Sequence, residues 1–475
     1  MSALEPPDSK RTDAHPLVKK YARHVNPAFV KLLGVFGYGR LFERAKDVRI
    51  WDHRGREYLD FLAGYGCVNI GHNHPRLVAR LKAFLDEDAL SFCHVGPAPH
   101  AAELASALAT ILAQAAPLRG SATAPALEIS LFANSGAEAV EAAMKLARAA
   151  TKRRHFVSCR GGYHGTSFGA LSVMGEPRMR APFEPLLEGC QTVPFGDVGK
   201  LKAALTARKV AACVIEPIQG EGGVVIPPSG YLAEAQELCR KHGTLLILDE
   251  VQTGIGRTGA AFAFSREGFV PDMIVLAKAL SGGIAPIAAT VVSRALHQRA
   301  YGSMDRFDLQ SSTFAGNAFS CVAALTTLEI LADERLAERS DERGADLLRG
   351  LRTALSGHPL VKDIRGRGLL IGIELGPTES GWMNKLAPSL VEVVSEKVFG
   401  QWASFKLLER GILCQPASHR WNVLKLTPPL TIEAPEIEQM VRAITEVFSE
   451  YQGVGRLLVD VTRCLKTQAE RGWAF

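Results

Sequence analysis

The sequence predicts an α/β protein: a large domain built on a mostly parallel sheet sandwiched by helices, with a smaller α+β domain beside it. Three observations carry this expectation. From about Ala101, short apolar runs alternate with Ala-rich segments of helical spacing, the pattern of parallel strands joined by helical crossovers. The runs are near-continuous Val/Ile/Leu stretches, as expected of strands buried on both faces. After about Asp333 the alternation gives way to a charged helix and a mixed tail, which places a domain boundary there.

Taken in order, Val48–Phe61 (VRIWDHRGREYLDF) reads as a hairpin turning at Gly55, and Leu77–Glu87 as a helix. His100–Ala115 is a helix, Leu127–Ala133 a strand and Ala137–Thr151 a helix. His155–Cys159 and Ala211–Pro217 are strands, Leu232–Gly243 a helix and Thr244–Glu250 a strand. Met273–Val292 is the longest apolar stretch and nearly suits a membrane span in length. Lys278, the Gly282–Gly283 pair and Pro286 argue instead for two short buried strands around a loop. Glu334–Leu355 is the charged helix, followed by the mixed segment Val361–Leu375.

Composition narrows the function classes. The chain is 47% apolar and 22% charged, with a formal charge of +6 and no run of five Lys/Arg, so nothing points to nucleic acid. Nine dispersed cysteines without a C-x-x-C pair read as free thiols of a reducing, cytoplasmic compartment. The N-terminal stretch MSALEPPDSKRTDAHP lacks an apolar signal region and reads as a loose arm. Neither a membrane partner nor a metal site is expected.

LLILDEVQTGIGRTG (Leu245–Gly259) carries a G-x-G-x-x-G at Gly254, Gly256 and Gly259. A dinucleotide site needs a strand, a tight glycine turn, a helix, and an acid about 20 residues on. Here the first glycine comes four residues after Glu250, AAFAFSREG is a poor helix, and Asp272 comes early and opens a strand. The glycines then serve a loop passing close to a ligand or a partner subunit. An NAD-dependent oxidoreductase built on this loop stays as the alternative of a different class.

Asp249 is the stronger signal. It ends a buried strand, where open α/β sheets bind ligands, and a buried carboxylate needs a partner. Lys278 lies 29 residues further on, after another apolar strand. The two form either a structural ion pair or two ends of a reactive site, since desolvation makes a lysine a better nucleophile. Ser135-Gly136-Ala137 opens a helix after a strand, which is either an ordinary helix cap or a phosphate cradle. Tyr163 and His164, on a glycine-flanked loop, read as a wall for a flat ring. Together these are the parts of a pyridoxal phosphate (PLP) site: a Schiff-base lysine, an acid for the pyridinium nitrogen, a helix N-terminus for the phosphate and an aromatic on the ring.

With these residues in view, the sequence resembles a class III (subgroup II, fold type I) PLP-dependent aminotransferase from about Pro27 to Phe448. NSGAEAVEAAMKLAR, GYHG, IEPIQGEGG, LILDEVQTGIGRTG, LAKALSGG, STFAGN and RGRGLLIGIEL occur in that family's order. The resemblance implies a fold type I transferase whose smaller domain draws on both chain ends: residues 1–75 as arm and part of the small domain, 76–340 as the PLP-binding domain, and 341–475 as the rest of the small domain. It implies that Lys278 carries the cofactor and shuttles the proton between Cα and C4′. Asp249 then pairs with the pyridinium nitrogen, and Gln252 bonds the 3-oxygen. Val251 packs under the ring and Tyr163 over it, with His164 beside it. Gly136 and Ala137 serve the phosphate next to Ser135, and Glu216 supports the site. Thr313 reaches the phosphate of a neighbouring subunit, which makes the protein a homodimer with shared sites.

For the substrate, the resemblance pairs Glu221 with an arginine of an R-x-x-P-P-L segment, but the position here is Lys425, in VLKLTPPLTI. Lysine lacks the planar two-point fork that suits a carboxylate. His24–Ala45 and Leu59–Pro75 are most similar to the putrescine-type branch acting on terminal amines. Tyr65 is placed near the entrance, with Phe36 and Tyr38 extending an apolar wall. A terminal (ω) amine, including a diamine or a long-chain amine/aldehyde pair, is therefore the expected donor and a keto acid the acceptor. An ω-amino acid such as ornithine, acetylornithine or 4-aminobutyrate is the alternative. The tail from Gly453 reads as a final amphipathic helix.

Overall fold

The computed structural model describes residues 15–35, 40–92, 94–116, 126–376, 388–451, 456 and 459–460. The loose arm, Phe36, Tyr38 and most of the C-terminal tail lie outside the described residues. Among the described residues, no helix is long and apolar enough to cross a membrane.

Among the described residues, fifteen strands fall into three sheets. The first comprises β1 (Phe42–Lys46), β2 (Arg49–Asp52) and β3 (Glu57–Asp60). The central sheet has β4 (Ile129–Ala133), β5 (His155–Cys159), β6 (Cys190–Val193), β7 (Val210–Ile215), β8 (Leu245–Asp249), β9 (Met273–Leu276) and β10 (Ala288–Val292). The third holds β11 (Val361–Arg367), β12 (Leu370–Leu375), β14 (Gln415–Ala417) and β15 (Arg420–Leu426), while β13 (Ile412–Leu413) pairs in parallel with β3. Segments from near both ends of the described chain thus share one sheet.

The central order is β4-β10-β9-β8-β7-β5-β6. Every pair from β9 through β6 is parallel, and β10 alone runs antiparallel, to both β4 and β9. Residues 273–292 are therefore two buried strands around a loop, as the sequence predicts. β7 and β8 are buried at every position, and their side chains alternate between two cores. Cys213, Ile215, Leu246 and Leu248 join one core with helices Tyr231–His242 and Ala318–Asp333. Ala212, Val214, Leu245 and Ile247 join the other with helix Gly136–Thr151. A two-sided apolar strand can be stable only where helices cover both faces, which is why these runs carry no polar alternation.

The sequence misses some elements. Pro16–His24, at the edge of the expected arm, is a helix with no buried residue. Ala318–Asp333 is a helix buried almost all round, so its apolar residues show no facial period to read.

Candidate active site

β4, β9, β8, β7 and β5 point the same way, and the segments leaving their C-terminal ends meet around one cavity of about 530 Å³. Ser135, Gly136, Ala137, Tyr163, His164, Glu216, Glu221, Asp249, Val251, Gln252 and Lys278 all line it. Five crossovers bring these scattered positions together because parallel strands place all their C-terminal ends on one side.

Asp249 ends β8, and Lys278 begins a short 3₁₀ turn after β9, the adjacent strand. The ion pair between them that the sequence left open does not form. Asp249 Oδ2 meets His164 Nδ1 at 2.8 Å, and Oδ1 accepts the Val251 N–H at 3.1 Å. His164 is fully buried: burial would lower its pKa, but the hydrogen bond and charge of Asp249 outweigh it and raise it. His164 therefore holds the Asp249 carboxylate in place from the cavity wall. Its Nε2 is buried without a partner among the described residues.

The Lys278 side chain makes no hydrogen bond or ion pair among the described residues, and its backbone sits at φ +44°, in the left-handed region. Such a conformation in a non-glycine residue costs about 1–3 kcal/mol and marks sites where position matters more than comfort. Gly282 at φ +64° and Gly283 at φ +81° complete the turn.

At the far wall, Ser135 caps helix Gly136–Thr151 by accepting the Glu138 N–H at 3.2 Å. Glu138 reaches back to the Asn134 N–H at 2.8 Å, fixing the loop. The first N–H groups of a helix lack intrahelical acceptors and carry its positive end, which suits an anion. Close packing leaves little slack here. A Cβ on Gly136 would stand 3.1 Å from Val251 Cγ1, and one on Gly165 would stand 2.4 Å from Ala137 Cβ. Glu216 supports the wall by accepting the Tyr163 N–H at 2.8 Å and the Gly220 N–H at 3.1 Å. Burial pushes its carboxyl up to about 7.

The remaining predicted residues form a second cluster. Glu221 Oε1 pairs with Lys425 Nζ and accepts Gln252 Nε2 at 3.3 Å. Burial alone would raise the Glu221 carboxyl, but the charges of Lys425 and Lys278 and the bonds from Lys425 and Ser418 hold it well below the usual range. Tyr65 lies in a run of positive φ from Ala63 to Gly66, and its ring centre is 5.4 Å from Lys425 Nζ. Gln252 also donates to the Tyr65 carbonyl at 3.0 Å, leaving its Oε1 buried and unpartnered. Thr313 is exposed and does not line the cavity. Sequence reasoning missed Ser418 and His419, which brace Glu221 and Tyr163 from the β14–β15 turn, because a serine and a histidine in a hairpin carry no motif.

The glycine loop is corrected by the structure. Among the described residues, only a short 3₁₀ turn, Ala263–Arg266, follows it before β9, and its residues do not line the cavity. A Cβ on Gly256 would lie 2.8 Å from Leu331 and Leu430 side chains, and one on Gly259 would lie 2.5 Å from Asp341. The glycines thus allow close approach by the chain's own later segments, not by a nucleotide. Arg257 between them is fully buried and donates to the carbonyls of Leu369 and Pro428 and to Asn69 Oδ1.

Comparison with known proteins agrees with this geometry. The family model "Aminotransferase class-III" matches residues 37–448. Aminotransferase PigE of a Serratia species is 36% identical over 480 residues, covering 95% of this chain and 55% of that protein, so the chain spans about half the length of this curated relative. Ornithine aminotransferase from Toxoplasma gondii, whose crystals show partial PLP occupancy, superposes with a TM-score of 0.74 at 33% identity, covering 86% of this chain and 90% of that one. A PLP-bound amine transaminase from an uncultivated Pseudomonas species superposes at 0.73 and 28% identity, covering 86% and 95%.

Proposed function

The chain belongs to the class-III aminotransferases, and from that premise we propose that it moves an amino group from a terminal amine to a keto acid in two half-reactions at the cavity described. The observation that carries the reading is that Asp249 and Lys278, from adjacent strands, line one cavity opposite a helix N-terminus. The residues fit pyridoxal phosphate: a lysine side chain without a partner among the described residues, an acid braced by His164, a helix start closed by Gly136, and Tyr163 on the wall. When bound, this cofactor supplies an electron sink for the carbon that loses a proton.

The chain's residues do the rest. Lys278 Nζ, without a competing partner, takes and returns the proton at substrate Cα. Asp249, braced by His164, would face the ring nitrogen, while Gln252 would serve the 3-oxygen. Gly136 and Ala137 N–H groups, beside Ser135, would hold the phosphate, and Val251 and Tyr163 would flank the ring. Glu216 positions Tyr163 through its backbone. Thr313, exposed on the surface, serves a second copy's site in a homodimer.

The donor reading rests on Glu221 and Lys425. Glu221 lines the cavity and Lys425 does not, so the lysine is screened by its own counter-ion. A donor without a carboxylate near its reacting amine suits this wall. The ω-amino acid reading is favoured by the names of several structural relatives, ornithine and acetylornithine aminotransferases among them.

The experiment is a half-reaction assay. The purified protein with PLP is expected to absorb as a yellow species, bleach with putrescine or a long-chain amine, and recover its colour with a keto acid. Lys278→Ala is expected to abolish both changes. Tight NAD(P) binding without PLP absorbance would overturn the assignment.

A further inference from the structure

The turn between β14 and β15, Ser418-His419, closes over Glu221. Ser418 donates both its N–H, at 3.0 Å, and its hydroxyl to Glu221 Oε2. The His419 N–H donates to the Glu221 carbonyl at 3.1 Å. The other carboxylate oxygen is taken by Lys425 and Gln252. Every side of this buried anion is therefore engaged, and Ser418 supplies both bonds on the oxygen that Lys425 does not hold. The turn is itself anchored: the Trp421 indole donates to the Ser418 carbonyl at 3.0 Å, and the Arg178 guanidinium lies 5.6 Å from the Trp421 ring centre.

A carboxylate entering the cavity can reach Lys425 only if Glu221 leaves it, because Glu221 stands between them. Leaving means breaking the bonds from Ser418 as well as the ion pair. We propose that Ser418 is a specificity-determining residue, a latch that keeps Glu221 on Lys425 and so denies that lysine to substrate carboxylates. The inference rests on the terminal-amine reading above and gives it a named gatekeeper. Removing the hydroxyl deletes one hydrogen bond to a charged group but keeps the backbone donor, so the latch weakens without vanishing. Loss of such a bond corresponds to roughly a tenfold change in the competing equilibrium.

The test uses the PLP-loaded protein and butyrate, an unreactive carboxylate, by calorimetry, with pentylamine and 4-aminobutyrate as paired donors. Ser418→Ala is expected to bind butyrate about tenfold more tightly and to raise the kcat/KM ratio of 4-aminobutyrate over pentylamine by a similar factor. Ser418→Thr, which keeps the hydroxyl, is expected to restore native values. Equal or weaker butyrate binding in Ser418→Ala, or the same gain in Ser418→Thr, would overturn the latch, since general loosening of the turn does not improve affinity for one ligand class. If the native protein fails to exchange with pentylamine, the donor reading falls, while the butyrate comparison still decides the role of Ser418.

Discussion

At the scale of single residues, the site works by giving each charge one assigned partner. Asp249 has His164, Glu221 has Lys425, and Lys278 is left open for chemistry. Glu216 is the exception, a carboxyl buried with two backbone N–H donors and no ion pair. Its folded pKa is raised to about 7 from an ordinary 4.5. Between those values the folded state holds a proton that the unfolded chain has released, so stability falls as pH rises through that window, at up to about 1.4 kcal/mol per pH unit. The contribution is whole below 4.5 and gone above about 7. Glu216→Gln removes the titration, so its melting temperature is expected to decline less than that of the native protein between pH 5 and 7.5. Parallel declines in a thermal-shift series would contradict the assignment. Asp249, Lys278 and the loop at Ser135–Ala137 were legible in the sequence because each sits at a strand end with a recognisable chemical need. The pairing of His164 with Asp249 was not, since a ring on a glycine loop can face either way until the neighbouring strand is in place.

At the scale of elements, the cavity depends on how tightly the strand-to-helix loops pack. Gly165 has φ +112° and would drive a Cβ into Ala137, the second residue of helix Gly136–Thr151. Gly165→Ala combines a disfavoured backbone with a clash, each worth about 1–3 kcal/mol. We expect a lower melting temperature and weaker retention of PLP on gel filtration. A variant as stable and as well loaded as the native protein would show that the helix start can shift freely. The strands themselves were readable, being short apolar runs bounded by glycine and polar residues. The single antiparallel strand β10 was not, because direction is set by the return path of the 278–287 loop and leaves no compositional mark.

At the scale of the whole molecule, Arg257 ties the loop after β8 to Asn69 near one end of the chain and to Leu369 and Pro428 toward the other. Burial lowers its pKa to about 9, and it is held by neutral acceptors, which marks it as an internal staple. Beside Thr313, Phe314 is 61% exposed, and Phe92, itself 38% exposed, packs edge-on against it at 5.2 Å. Large exposed aromatics in a cluster mark interaction surfaces, and a second copy of the chain is the occupant consistent with the proposed role of Thr313. Phe314→Glu is accordingly expected to convert a dimer to a monomer in sedimentation and to lower exchange activity. A native protein that sediments as a monomer would remove Thr313 from the proposed site.

The sequence by itself determined the alternation of strands and helices, the family, and most of the residues that line the cavity, because these depend on local pattern and on chemistry tied to motif spacing. Only the tertiary structure decided that Asp249 answers to His164, that the glycine loop packs on its own chain, and that Ser418 closes on Glu221. Each of these joins side chains far apart in the chain, and which atoms meet depends on strand order and on how closely the elements pack.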